Sequence, residues 1–290
     1  MSAPLAVGLI GAGPWARMVT GPVLAAGPQT KLTGVWSRTP PHAEELATTL
    51  SVPAASSVEA LIDTCDAVAI SIAPGAQPHY AVQAAQEGKA LLLEKPLGSD
   101  VAGAQEIVDA VAAYGVGALV MLSHRFNPGL DPFLTAAAAC EPLGARGAFV
   151  SGAFLGGPFA HGWRLERGAV LDVGPHLLDL FEGALGEIVD VRASGDPLGW
   201  VSLICTHASG ATSSGALCCS AAAEGGTEVA VYGRKGSATY DGSVDDAQWP
   251  DRLRHALVSV AAGGAHPANV DRALHLQHLI AEIESQVARA

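Results

Sequence analysis

The sequence predicts an α/β chain in two parts. A doubly wound parallel sheet occupies 1–122, and an α/β domain with an open, mostly antiparallel sheet occupies 123–290. Three observations carry this. Short apolar runs alternate with helical patterns up to about residue 122, and a glycine-rich turn follows the first of those runs. After Phe126-Asn127-Pro128 the apolar runs alternate with polar residues and are separated by tight-turn sequences.

In chain order, Ala6–Ile10, Leu32–Trp36, Ala67–Ile72, Ala90–Leu93 and Ala118–Leu122 read as strands. Helical patterns near Pro14–Ala26, Pro41–Leu50, Gln77–Glu87 and Val101–Tyr114 lie between them. Repeated strand–helix–strand units require parallel pairing with helices on both faces, and right-handed crossovers then leave the doubly wound topology. In the second part, Gly147–Phe154, Val189–Ser194, Gly199–His207, Thr212–Ser220 and Glu228–Tyr232 read as strands, with turns at Ala208-Ser209-Gly210 and Gly233-Arg234-Lys235-Gly236. This is the pattern of antiparallel pairing. Helices are expected at Leu171–Leu185 and at Val270–Val287, the second capped by Asn269 with Asp271 in its first turn. Ala221–Gly226 and Ala261–Ala265 read as loops.

Composition narrows the function classes. A chain of 290 residues that is 49% hydrophobic buries a core without help from disulfides or metals. A formal net charge of −12 repels nucleic acid and anionic membrane surfaces, so neither is an expected partner. The odd count of five cysteines, with no C-x-x-C pair, points to reduced core thiols and a cytoplasmic location. No apolar stretch approaches the roughly 20 residues of a membrane span. Leu5–Ala12 follows no basic residue and is broken by glycines, so it reads as a strand rather than a leader.

Gly11-Ala12-Gly13-Pro14-Trp15-Ala16 follows a strand and opens a helix, the context in which G-x-G-x-x-G/A binds a dinucleotide. Gly11 permits the turn, Gly13 lets backbone approach the pyrophosphate, and Ala16 lets helix and strand pack closely. Pro14 lacks only an N–H that has no helical partner there, and the helix start favours phosphate charge. The domain is therefore expected to be a Rossmann fold. NAD sites usually carry an acidic residue at the end of the second strand, but here Ser37-Arg38-Thr39 stands in its place. A hydroxyl beside a guanidinium suits a 2′-phosphate, so NADP is the expected cofactor ahead of NAD.

Two further segments carry chemistry. Glu94-Lys95-Pro96-Leu97 follows the fourth strand-like run, and Pro96 disfavours a helical Lys95, keeping it extended at a carboxyl edge. In Asp172-Val173-Gly174-Pro175-His176-Leu177-Leu178-Asp179, a helix puts Asp172 and His176 on one face with Asp179 one turn further.

With these residues the sequence resembles the Gfo/Idh/MocA oxidoreductases over nearly the whole chain. The resemblance rests on the glycine loop, on His79 with Gly88-Lys89 leading into Glu94-Lys95-Pro96, and on Asp172-x-Gly174-x-His176-x-x-Asp179. It implies an open-sheet second domain that mediates homodimers or homotetramers, and a sugar or cyclitol substrate. It implies that Lys95, Asp172 and His176 are catalytic, that Pro74, His79 and Glu94 lie near the nicotinamide, and that Trp163-Arg164 reaches cofactor or substrate. In such a reaction His176 is the natural general acid/base, Lys95 stabilises alkoxide charge, and Asp172 orients His176 or holds a neighbouring hydroxyl. Each has a plainer alternative: Lys95 paired with a carboxylate, His176 a satisfied core histidine, Asp172 a helix cap. Arg167-Gly168-Ala169-Val170 replaces the family's usual glycine run, and the chain is short for a member, which bears on the substrate more than on the reaction. Reduction of a keto-sugar, or sensing of NADP and a sugar without turnover, are the competing functions. No metal spacing is expected, since His275 and His278 lack a third ligand and read as a partly exposed helix face.

Overall fold

Leu5–Ile10 forms β1, whose inward residues Val7, Leu9 and Ile10 are fully buried as a central parallel strand requires. The computed structural model describes residues 3–223, 225–242 and 248–287. Contacts divide the chain into two compact units, 1–121 with 250–274 and 122–249 with 275–290.

In the first unit β1 lies between β2 (Thr30–Trp36) and β3 (Ala67–Ile70), and β4 (Ala90–Leu93) and β5 (Ala118–Val120) complete the sheet. The order is β2-β1-β3-β4-β5 with every pairing parallel. The strand order reverses between β1 and β3, which places the ligand crevice of such a sheet at the loops following those two strands. A π-helical turn, Ala16–Thr20, leads into α1 (Gly21–Ala25). Then come α2 (Pro40–Leu50), α3 (Val58–Ile62), α4 (Gln77–Gln86) and α5 (Val101–Tyr114). Asp100 caps α5 by accepting from the Gly103 amide at 2.9 Å, and Gly115 ends it in the left-handed region.

The segment Pro250–Leu274 clusters with this first unit, although a single division at 122/123 would leave it with the second. Its contacts explain the placement. Val120 donates to the Ala268 carbonyl at 2.8 Å, and Arg254, buried, reaches the Val23 carbonyl and the Gln29 side chain. A Cβ on Gly117 would collide with the Val260 carbonyl, so the glycine admits α8 (Trp249–Ala261) close to β5.

The second unit is a six-stranded sheet of order β11-β10-β6-β9-β8-β7. Its strands are β6 (Pro142–Val150), β7 (Ile188–Gly195), β8 (Val201–His207), β9 (Thr212–Cys218), β10 (Gly226–Gly233) and β11 (Gly236–Asp241). Pairing is antiparallel throughout except β6 with β9. α6 (Leu130–Ala139) packs at the β11 end, and α7 (Trp163–Leu185) covers the inner face. Gly147 and Gly215 are register partners across β6 and β9. Cβ atoms there would lie 3.0 Å from Phe181 and 2.9 Å from Leu177, so the paired glycines form the hollow that seats α7.

Several sequence expectations shift. The strand expected over Gly147–Phe154 runs from Pro142 to Val150, because residues 152–155 turn, with Leu155 donating to the Gly152 carbonyl. The helix expected from Leu171 starts at Trp163 and bends at Gly168, where φ is 78° and a side chain would strike the Pro197 carbonyl. α3, α6, α8 and β11 have no counterpart among the elements expected from the sequence. Asn269 caps α9 (Val270–Val287), accepting from the Arg272 amide at 2.8 Å. The loop expected at Ala221–Gly226 includes Glu224, which lies outside the described residues, and β10 already begins at Gly226. His275 is a partly exposed position on α9, as expected, and its Nε2 also contacts the buried Glu182 carboxylate at 2.6 Å. Among the described residues no helix is long and apolar enough to cross a membrane.

Candidate active site

In the first unit the glycine turn is built by its backbone. Gly11 adopts φ 123°, and a side chain there would collide with the Ser71 carbonyl on the loop after β3. A Cβ at Gly13 would meet nothing within 4 Å, so the backbone there is open to a ligand's close approach. Ala16 is fully buried against the sheet. Pro14 and Trp15 are helical, and Trp15 is half-buried. Arg17 stiffens the turn, with Nε donating to the Ala12 carbonyl at 2.9 Å and Nη2 to Glu45 at 2.8 Å. Ser37 sits just past β2, its Oγ 3.4 Å from the Thr39 amide. Arg38 is exposed, and no hydrogen bond or ion pair to another described residue claims its guanidinium.

Lys95 sits in a turn held from below. Gln77 is fully buried; its Oε1 accepts from the Glu94 amide at 2.8 Å, and its Nε2 donates to the Glu94 and Leu97 carbonyls at 2.9 Å each. The Lys95–Pro96 peptide is cis. Lys95 and Glu94 are half-buried, and a Glu94 carboxylate oxygen lies 3.5 Å from the Thr20 hydroxyl. Pro74 is buried at the end of the loop after β3, and His79 is exposed on α4. His79 lines a depression of about 520 Å³ with Gly75, Pro78, Ser99 and Asp100.

In the second unit the candidate side chains Asp172 and His176 come from α7 and are held by other side chains. Asp172 is buried, and its Oδ2 accepts from Arg164 Nε at 3.1 Å. The Arg164 guanidinium also lies over Trp163 at 4.5 Å and over Phe159 at 5.3 Å. His176 is buried against two rings, Phe149 at 5.9 Å and His124 at 5.4 Å. One turn on, Asp179 is gripped in a fork by Arg125, at 2.6 Å to Nε and 2.8 Å to Nη2. Burial is the largest single influence and works against the Arg125 charge, but the hydrogen bond to Asp179 and the attraction of the Asp179, Glu182 and Asp131 carboxylates together outweigh it and raise the guanidinium's affinity for its proton.

The first unit thus carries Gly11, Gly13, Pro14, Trp15, Ala16, Ser37, Arg38, Pro74, His79, Glu94 and Lys95 on the loops after its strands and the helix starts that follow them, and the second carries Arg164, Asp172 and His176. The sequence reading missed Gln77, Arg17, Arg125 and His124. His124 and Arg125 were findable in one respect, for they stand just past the fifth strand, where loop residues of such sheets meet ligands.

The glycine turn, the open backbone at Gly13 and the helix start define a dinucleotide-binding unit joined to a second unit that carries a carboxylate and an imidazole on one helix. Residues 5–122 match the profile described as an oxidoreductase family with an NAD-binding Rossmann fold, and residues 142–239 match the GFO/IDH/MocA C-terminal domain. The chain belongs to the Gfo/Idh/MocA oxidoreductase family. Solved structures agree on the fold. UDP-N-acetylglucosamine 3-dehydrogenase GnnA from Acidithiobacillus ferrooxidans superposes with TM-score 0.87 at 20% identity, covering 99% of each chain. GenD2 from gentamicin A biosynthesis, in complex with NAD, gives TM-score 0.86 at 19% identity, over 99% of this chain and 95% of that one. Levoglucosan dehydrogenase, in complex with NADH and L-sorbose, gives 0.86 at 17% identity, over 98% and 97%.

Proposed function

We propose that this oxidoreductase moves a hydride between a nicotinamide cofactor, NADP ahead of NAD, and a CH–OH or carbonyl carbon of a sugar, cyclitol or sugar derivative. The observation that carries the reading is the joint presence of an open glycine turn and the Lys95, Asp172 and His176 set in a chain of this family. The residues fit the cofactor. Gly11 and Gly13 leave backbone exposed for the pyrophosphate, and Ser37 and Arg38 offer a hydroxyl and an unclaimed guanidinium where a 2′-phosphate would sit. Pro74, His79 and Glu94 border the nicotinamide end. When bound, the cofactor supplies a hydride acceptor or donor.

The chain's own residues then handle the oxygen. His176 takes the hydroxyl proton as the carbon is oxidised and returns it in the reverse direction. Lys95, on its braced turn, opposes the negative charge growing on that oxygen. Asp172, anchored by Arg164, accepts a hydrogen bond from a hydroxyl beside the reacting carbon. The similarity to a UDP-N-acetylglucosamine 3-dehydrogenase and to levoglucosan dehydrogenase supports a polyol or sugar partner. The outward face of the second sheet exposes Val189, Ile204 and Tyr232, which suits a homodimer or homotetramer formed through that sheet.

Purified protein incubated with NADP or NAD and a panel of polyols and sugars should develop the absorbance of reduced nicotinamide, faster with NADP. No absorbance change with any pair, in either direction, would leave the sensing function in its place.

A further inference from the structure

We infer that His124 is a positioning residue for His176: its ring, pinned by the hydroxyls of Tyr240 and Thr227, is the wall that sets the orientation of the His176 imidazole. This rests on the reading that His176 is the acid/base.

The need for such a wall follows from the side chain. A histidine's χ2 is a broad, roughly two-fold torsion, so its place on α7 does not settle which nitrogen faces the substrate. Contacts must settle it. The His124 ring meets His176 edge-to-face at 5.4 Å and 85°, and Phe149 closes another side at 5.9 Å. His124 cannot turn away freely, because Nδ1 lies 3.0 Å from the Tyr240 hydroxyl and Nε2 lies 3.2 Å from the Thr227 hydroxyl.

The pins are themselves fixed by the sheet. Phe149 and Thr227 are register partners across β6 and β10, and Tyr240 pairs with Val229, two residues along the same buried face of β10. Tyr240 and Thr227 are each 2% exposed. Burial raises the Tyr240 pKa, so its hydroxyl keeps its proton and the hydrogen bond persists across the working pH range. Gly242 completes the slot, since a Cβ there would lie 2.6 Å from the His124 ring. On α7, Asp172, paired with Arg164, and Asp179, paired with Arg125, flank His176 in sequence, and Asp241 acts on Tyr240.

The test uses the full chain without cofactor, labelled with 15N in its histidine rings, with His176 signals assigned through His176→Asn. In His124→Ala the His176 signals should change from one dominant tautomer to a mixture, and their titration midpoint should move by about half a pH unit. Turnover should fall roughly tenfold with KM nearly unchanged, because orientation and not binding is lost. Tyr240→Phe should do the same more weakly, and it decides the matter if His124→Ala fails to fold. A His176 spectrum indifferent to both substitutions overturns the positioning role, even beside an inactive His176→Asn. Full turnover by His176→Asn, with the His124→Ala spectral change present, would instead overturn the acid/base reading and leave the ring contact standing.

Discussion

The two units hold their functional groups by different means. In the first, backbone does most of the work: a positive-φ glycine, an open glycine and a turn braced through its peptide groups by Gln77. In the second, side chains hold side chains, with Arg125 on Asp179, Arg164 on Asp172 and His124 on His176. A backbone cradle adapts to a ligand that any chain of the fold can share. A side-chain lattice fixes a few atoms and is sensitive to each member.

The largest expected effect lies in the lattice. Arg125→Leu removes the guanidinium that forks Asp179, whose side chain is 2% exposed. Loss of about 3–5 kcal/mol of stability is expected in denaturant unfolding. A loss below about 1 kcal/mol would show that water or rearrangement satisfies Asp179, and that the lattice is looser than its geometry.

The two glycines sharpen the contrast from the other side. Gly11→Ala forces a side chain into a positive-φ position and against the Ser71 carbonyl, so it should cost about 2 kcal/mol of stability as well as cofactor binding. Gly13→Ala places its methyl in open space, so thermal stability should hold while dinucleotide affinity falls roughly tenfold. Equal effects of the two on melting would contradict the division between a structural and a ligand-facing glycine.

Arg38→Ala should weaken NADP binding by roughly tenfold and leave NAD binding nearly unchanged, as loss of a charge-assisted bond to the 2′-phosphate implies. Isothermal titration with both cofactors reads this ratio, and equal losses for both would remove Arg38 from the phosphate site.

The smallest effect is alkaline. Burial pushes the Cys205 thiol up to about 11 and raises the Tyr240 hydroxyl, so both keep their protons longer in the folded chain than in the unfolded one. Their contribution is full below the ordinary thiol value of about 8.5 and is lost as pH rises through the folded values. The melting temperature should therefore decline above about pH 9, and Cys205→Ala should flatten part of that decline.

Most of the parallel sheet was legible because each β–α unit carries its own local periodicity, and the glycine turn announces where the first helix begins. The second sheet was legible as alternation, less so in its bounds. What escaped depends on remote partners. α6 is an Ala-rich stretch with little contrast between faces, and charged Asp251, Arg252 and Arg254 obscure the Leu253, Leu257 and Val260 stripe of α8. Arg254 reaches Gln29 across 225 positions, which no window of sequence contains. The site divides in the same way. Lys95, Asp172 and His176 stand in recognisable strings, whereas Gln77, Arg125 and His124 matter through contacts that only the folded chain creates.

The proposed function assigns the Lys95 ammonium and the His176 imidazole to a single hydride transfer. A double-substitution cycle of Lys95→Met and His176→Asn on kcat tests it most directly. Each single change should cost about 10²–10⁴-fold, and the pair together should cost little more than the worse of the two, as groups acting on one transition state do. Losses that multiply, or a His176→Asn enzyme with undiminished turnover, would contradict it.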